Sequence, residues 1–324
     1  MRSIPRFLAL VAFLPCAAVG CGDGCVEHII TPGELGVAEF EWEWCHGELF
    51  ESCPILEAIA AGATTSIHVY NGDRLPPYEV RSSDPTLAVF TPADGHVVRV
   101  EAVRPGEVAL ELYAAADGAL LDRIRLRIAE VAAIEMTRPA ETPPLALMQD
   151  GDLELVFQTR EASGEVLVGS GAVSFEAAGG LSVAARGEPG ERFDRVVVRA
   201  DAAGRAVLAA RAGTAALDVL VGVVTPNQVA EVQIDESISP LPPPSDGGTF
   251  WIRAEARLRD GTLVHRPRCT WSSSDSSCLF FPGETQSDPD RCAARLDRLR
   301  SRCRAAITVT VGAFASDTAR IEVE

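Results

Sequence analysis

The chain contains no lysine; all 29 of its basic residues are arginine. Chemistry that needs a lysine amine is therefore excluded, the Schiff-base kind and the P-loop kind alike. Asparagine occurs only at Asn71 and Asn227, a bias we read as genomic composition rather than chemistry. Positive charge is also scarce. Against 46 acids the net charge is −17. An acidic surface repels phosphate backbones, so no nucleic-acid partner is expected, and electrostatic docking on anionic lipid is disfavoured. Long apolar runs are missing: Phe7 to Leu14 is too short for a membrane-spanning helix, which needs about 20 apolar residues. There is no Cys-x-x-Cys pair, no His-Glu-x-x-His and no Gly-x-Ser-x-Gly. Zinc fingers, zinc proteases and the nucleophile elbow thereby fall away, and neither a metal nor a cofactor is expected.

What is present suffices for well-filled cores. The 324 residues are 47% apolar, which suits two or three domains and rules out wholesale disorder. The first 20 residues read as an address. Arg2 and Arg6 precede the apolar run, and the small residues Ala17-Ala18-Val19-Gly20 lead into Cys21. Ala18-Val19-Gly20-Cys21 resembles the lipobox of bacterial lipoproteins. The resemblance implies cleavage before Cys21, lipid attachment at its thiol, and anchoring through acyl chains worth about 0.8 kcal/mol per buried methylene. The residue after Cys21 is Gly22 rather than the aspartate that signals inner-membrane retention, so the outer membrane is expected.

Such a compartment is oxidising, and the other cysteines are read as disulfide formers. Cys45 and Cys53 flank a short loop and form the expected N-terminal pair, with Cys25 left over. Near the other end, Cys292, Leu296, Leu299 and Cys303 follow helical spacing, which predicts a helix over Asp290 to Arg302. Its two cysteines would lie about 16 Å apart, beyond the roughly 7 Å a disulfide tolerates between Cα atoms. Each is therefore expected to pair with Cys269 or Cys278.

From residue 64 onward, alternating or short apolar runs are broken by Gly, Pro, Asp and Ser, which is the pattern of strands. Three units recur about every 95 residues, a period that marks tandem domains. Each begins with a turn glycine (Gly72, Gly164, Gly261), continues to a large apolar residue (Val80, Phe175, Trp271) and ends on an aspartate before its last strand (Asp122, Asp218, Asp317). The predicted fold class is all-β: tandem immunoglobulin-like β-sandwiches with one short helical insert in the last domain. The expected division is 1–20 signal peptide, 21–130 N-terminal extension plus first sandwich, 131–225 second sandwich and 226–324 third sandwich. In the extension, Phe40, Trp42 and Trp44 alternate with Glu39, Glu41 and Glu43, so the glutamates are expected on the opposite face. Ile238 to Gly248 reads as a proline-rich loop within the third unit.

Val80 to Glu111 resembles the bacterial immunoglobulin-like group 2 domain, the intimin/invasin type. The resemblance is carried by Ser82-Ser83-Asp84-Pro85, Val100-Glu101-Ala102 and Pro105-Gly106-Glu107-Val108-Ala109, and by Trp271-Ser272-Ser273-Ser274-Asp275 in the third unit. It implies extracellular or periplasmic modules that act as spacers, adhesive stalks or binding domains.

No catalytic constellation is legible, and the chain is not expected to be an enzyme. His28, His46, His68, His96 and His265 are scattered, and Gln149 to Asp152 and Ser287 to Asp290 read as polar turns rather than calcium loops. Asp84 and Asp275 are expected to bond local backbone. Trp42, Trp44 and Trp251 are read as core in preference to an aromatic platform. The expected role is a membrane-anchored envelope lipoprotein, periplasmic or surface-facing, with adhesive, binding or structural modules and an unidentified protein or glycan partner. The rival readings are a periplasmic assembly partner of a basic envelope protein and a hydrolase with an interdomain site.

Overall fold

The computed structural model describes residues 30–45, 55–70, 75–235, 249–282, 285–286, 292–299, 303–313 and 315–323. Among them the chain is almost entirely strand. The first repeat supplies β1 (Thr31–Pro32), β2 (Glu39–Trp42), β3 (Ala58–Ala60), β4 (Thr64–Tyr70), β5 (Tyr78–Ser82), β6 (Ala88–Pro92), β7 (Val97–Ala102), β8 (Gly106–Ala114) and β9 (Leu120–Ala129). The second supplies β10 (Ala133–Arg138), β11 (Leu145–Met148), β12 (Asp152–Arg160), β13 (Val166–Val168), β14 (Ser174–Ala178), β15 (Leu181–Arg186), β16 (Asp194–Ala200), β17 (Gly204–Ala212) and β18 (Ala215–Val224). The third supplies β19 (Glu231–Ile234), β20 (Thr249–Arg257), β21 (Val264–His265), β22 (Cys269–Ser273), β23 (Leu279–Phe280), β24 (Thr285–Gln286), β25 (Cys292–Arg298), β26 (Cys303–Val311) and β27 (Ala315–Val323).

The repeats fold alike, as tandem immunoglobulin-like sandwiches. One sheet runs β2-β4-β7-β6, then β10-β12-β16-β15, then β19-β20-β25-β23 in successive repeats. The facing sheet runs β3-β9-β8-β5, then β11-β18-β17-β14, then β27-β26-β22. Alternation explains the strands. In β8 and β26 the third, fifth, seventh and ninth residues are buried and those between them are not, so one face of each strand fills its sandwich. Residues of the first two repeats share one continuous core, and most of the third repeat's apolar residues form another.

Local chemistry repeats with the strands. Asp84 Oδ1 accepts the Thr86 N–H at 2.9 Å and the Thr86 hydroxyl at 2.7 Å; Asp275 Oδ1 accepts the Ser277 N–H and hydroxyl at the same two distances. Ser83 Oγ and Ser274 Oγ each accept an N–H from the opposing strand, Ala109 and Ala306, at 2.8 Å. These are side-chain turns in which short polar groups satisfy backbone donors.

Two expectations need correction. The segment read as a helical insert is strand β25, paired on one side with β20 and on the other with β23 and β24. Cys292 and Leu296 are an even number of residues apart, so they share a face of a strand as well as of a helix. Cys292, Ala294 and Leu296 point into the core, while Leu299 is exposed. The strand expected to carry Phe40, Trp42 and Trp44 on one face and Glu39, Glu41 and Glu43 on the other is also shorter than expected. Glu41 is 1% exposed, and its hydrogen bond to the Tyr70 hydroxyl, second to burial, helps raise that phenol to about 12. The strand ends at Trp42, and Trp44 lies in a short 3-10 turn, stacked on Trp42 at 6.4 Å.

Candidate functional site: the junctions between repeats

The residues nominated for chemistry are dispersed. His68 Nδ1 meets Glu43 Oε2 at 3.2 Å, His96 Nδ1 meets the Tyr78 hydroxyl at 3.2 Å, and His265 is buried in β21. Trp42 is buried and Trp44 half-buried as expected of core residues, whereas Trp251, also read as core, is exposed on a strand of the third repeat, away from the other two. Asp150 lies in the turn before β12, where it pairs with Arg268 at 3.2 Å, and Asp152 opens β12. Among the described residues, no three His, Cys, Asp or Glu side chains are grouped to hold a metal. No helix there is long and apolar enough to cross a membrane. Cys21, Cys25, Cys53, His28, His46 and Ser287 to Asp290 lie outside the described residues, as does the Cys45 side chain. In the third repeat, Cys269 joins Cys292 across the two sheets and Cys278 joins Cys303.

The repeat-closing aspartates work structurally. Asp122 is fully buried and accepts backbone N–H groups from Leu35 (2.9 Å), Val37 (2.7 Å) and Ala38 (2.7 Å). Burial pushes its carboxyl up, but these donors and the Arg123 N–H outweigh that and leave it below the ordinary carboxylate value. Asp317 holds the Ile234 N–H at 2.9 Å in the same way. Asp218 instead pairs with Arg211 at 2.6 Å on the surface.

The most elaborate arrangement lies where one repeat meets the next. β3 lies between β9 of its own repeat and β13 of the second repeat, parallel to both; Ala58 and Ile59 face Leu167 and Val168. β11 likewise lies between β18 and β21 of the third repeat, with Ala146 and Leu147 facing Val264 and His265. Both inserted strands are buried throughout, because each face meets a core. Leu145 and Leu147 fill one core, Ala146 and Met148 the other. Parallel strands covered on both sides read as unbroken apolar runs, here Ala58-Ile59-Ala60 and Leu145-Ala146-Leu147-Met148. That run was the signal available in the sequence, and a search for alternation passes over it.

Side chains reinforce the first junction. The Arg192 guanidinium stands 4.6 Å over the Trp44 ring and 3.3 Å from Glu57, which also accepts Trp42 Nε1 at 3.1 Å. Thr64 and Ser170 exchange backbone hydrogen bonds at 2.7 and 2.9 Å. Arg127 of β9 grips Glu161 and Glu165 of the second repeat at 2.6 and 3.0 Å, and hydrogen bonds from Arg127 and Ser163 pull the Glu161 carboxyl down to about 2. In the second repeat Asp194 accepts the Gly171 and Val173 N–H groups at 2.7 and 3.3 Å. Burial dominates there and raises its carboxyl to about 6. At the second junction Arg266 Nε donates to the Asp152 carbonyl at 2.8 Å.

No protein-family model matches the sequence, and neither does any curated protein. Among solved structures the chain is similar to domains 4–9 of the surface layer protein SbsC, at 16% identity and a TM-score of 0.30, over 76% of this chain and 39% of that one. It is similar to the Escherichia coli adhesin FdeC at 11% identity and a TM-score of 0.24, over 91% of this chain and 99% of that one. It is also similar to invasin, a bacterial integrin-binding protein, at 11% identity and a TM-score of 0.29, over 90% of this chain and 60% of that one.

Proposed function

We propose that the chain is a lipid-anchored envelope protein whose interlocked immunoglobulin-like repeats hold an adhesive, binding or structural surface at a fixed distance from the membrane. One observation carries the reading: adjacent repeats share sheets through β3 and β11 instead of being strung on linkers. Domains that share a buried strand move together, which suits a stalk that must transmit position or force. Among the described residues, His68 meets Glu43, His96 meets Tyr78, and Asp122, Asp194 and Asp317 hold backbone donors. The group 2 immunoglobulin-like resemblance of Val80 to Glu111 and the Ala18-Val19-Gly20-Cys21 junction support an outer-membrane lipoprotein.

The test is fractionation followed by protease shaving. The wild-type chain is expected in the membrane fraction and Cys21→Ala in the soluble fraction; Cys21→Ala retained on membranes overturns the anchor. Digestion on sealed cells supports an outward-facing module. Survival until the outer membrane is opened refutes the adhesive reading and favours periplasmic assembly with a basic partner, to which a net charge of −17 is suited.

A further inference from the structure

The two junctions share a plan but differ at one contact. Counted from the hairpin glycine, Leu167 and Val168 of the second repeat correspond to Val264 and His265 of the third, and each pair adds to an inserted strand. The hairpins close alike: Arg160 Nη1 bonds the Gly164 carbonyl at 3.0 Å, and Arg257 Nη1 bonds that of Gly261 at 2.9 Å. The next two residues are Gly169 and Ser170 at the first junction, Arg266 and Pro267 at the second. Gly169 and Arg266 both have positive φ, 103° and 54°. On the receiving side Ala58 corresponds to Ala146 and Ile59 to Leu147, so Ala63 and Thr64 correspond to Gly151 and Asp152. The local turn agrees: Ala63 N–H bonds the Ala60 carbonyl at 3.0 Å and Gly151 N–H bonds the Met148 carbonyl at 2.9 Å.

At this contact the two backbones lie too close for two side chains. A Cβ added to Gly169 would stand 2.9 Å from Ala63 Cβ, and a Cβ added to Gly151 would stand 3.0 Å from Arg266 Cβ. Apolar carbons rest at about 3.5–4.0 Å, so each junction admits one β-carbon here. The receiving strand supplies it at the first junction and the incoming strand at the second. The neighbouring backbone bond has changed in step. Thr64 and Ser170 exchange N–H to carbonyl bonds at 2.7 and 2.9 Å. Pro267 has no N–H to give the Asp152 carbonyl, and Arg266 Nε donates to it instead, at 2.8 Å. Arg266 thus goes with a glycine opposite and a proline beside it. An Arg266-Pro267 hairpin set on the first receiving strand would drive its β-carbon into Ala63. A Gly169-Ser170 hairpin set on the second would leave the space beside Gly151 unfilled.

We propose that this exchanged glycine is a pairing key, which makes the two junctions non-interchangeable and fixes which repeat docks on which. All four combinations of strand and hairpin can be built at the second junction of the full chain, purified in non-ionic detergent. Hydrogen exchange over β11 and β21 reads the outcome. Gly151→Ala sets the native hairpin on a strand of the first type, and exchange is expected to rise about tenfold or more through overpacking. The turn itself accepts a β-carbon, since Ala63 carries one at the same place. Arg266→Gly with Pro267→Ser sets a hairpin of the first type on the native strand, and the unfilled contact is expected to raise exchange about threefold. All three changes together rebuild the contact of the first junction. They are expected to return exchange to within about threefold of the wild type, a rescue that independent structural damage does not give. Exchange in β7 and β8 of the first repeat is expected to stay constant throughout. If Gly151→Ala does not fold, recovery of the fold in the triple variant becomes the readout. Gly151→Ala exchanging at the wild-type rate, or a triple variant no better protected or folded than Gly151→Ala, would overturn the proposal.

Discussion

Alanine at the three repeat-closing aspartates should produce three different losses, although the sequence gives them one position. Asp122→Ala removes the acceptor from three N–H groups of another segment. Leu35 and Val37 are about half exposed, so water replaces the carboxylate there at small cost; Ala38 is 1% exposed and its donor is left unmet. A bond to a charged acceptor contributes about 1.5–3 kcal/mol and the orphaned donor costs about 1–3 kcal/mol, while relief of the buried charge offsets part of this. A net loss of about 3 kcal/mol follows for the edge formed by residues 33–42. Asp317→Ala orphans one buried donor, Ile234 N–H, and should cost about 1–2 kcal/mol. Asp218→Ala breaks an exposed ion pair and should cost less than about 1 kcal/mol. An array of repeats does not unfold in two states, so the suitable assay is hydrogen exchange read peptide by peptide. Exchange should accelerate over residues 31–42 in Asp122→Ala and over 231–234 in Asp317→Ala. Because the Asp122 carboxyl is depressed, its contribution is complete above the unfolded value near 4 and fades only as pH falls through its lower folded value. Equal acceleration in Asp218→Ala and Asp122→Ala would refute the latch.

Asp194 should behave in the opposite sense. Its folded value of about 6 exceeds the unfolded one, so its contribution is fully present below about pH 4 and is lost as pH rises through 6, on the order of 2–3 kcal/mol in all. With Arg186 and Glu191 its charged neighbours, Asp194→Asn should abolish that part of the pH dependence of exchange around Gly169 to Val173 while keeping an acceptor for Gly171; an unchanged profile rejects the assignment. Cys278→Ala with Cys303→Ala opens a loop of 25 residues and should cost the third repeat about 3–4 kcal/mol by loop-closure entropy, leaving exchange in the first repeat as it was. Loss of protection in both repeats alike would contradict that localisation.

Strand identity was legible wherever one face meets a core and the other water, as in β8 and β26, because burial then imposes a period of two. The turns at Asp84 and Asp275 were legible for a different reason: the aspartate bonds close within two residues, so tertiary context does not alter them. The misread strand β25 marks the limit of spacing arguments, since an interval of four fits both periods. The junction was illegible for the reason that makes it stable. β3 and β11 are short and covered on both faces, and one partner of each lies in another repeat, so a short unbroken apolar run is all that marks them and a search for alternation passes over it. Arg192, Trp44 and Glu57 meet only because the sheets have already joined.

The cysteines of the third repeat follow from the same geometry. The bonds from Ser83 and Ser274 to the opposing strand place Leu87 in correspondence with Cys278 and Gly106 with Cys303. In the first repeat Leu87 lies directly over Gly106, where an added Cβ would come within 2.9 Å of its Cδ1. The contact between a side chain and a bare backbone thus becomes a covalent bond in the third repeat. The first repeat gains a fully buried strand from its junction, and its core is continuous with that of its neighbour. The third repeat is joined at one junction, and among the described residues no strand is inserted beside β27. A sandwich with less shared core leaves more of its stability to chain constraint, which is what disulfides supply in small oxidised domains. Cys269–Cys292 ties one sheet to the other, and Cys278–Cys303 ties the turn before β23 to the start of β26. The cross-links therefore belong to the stability of the outer repeat, and no redox chemistry is needed to account for them.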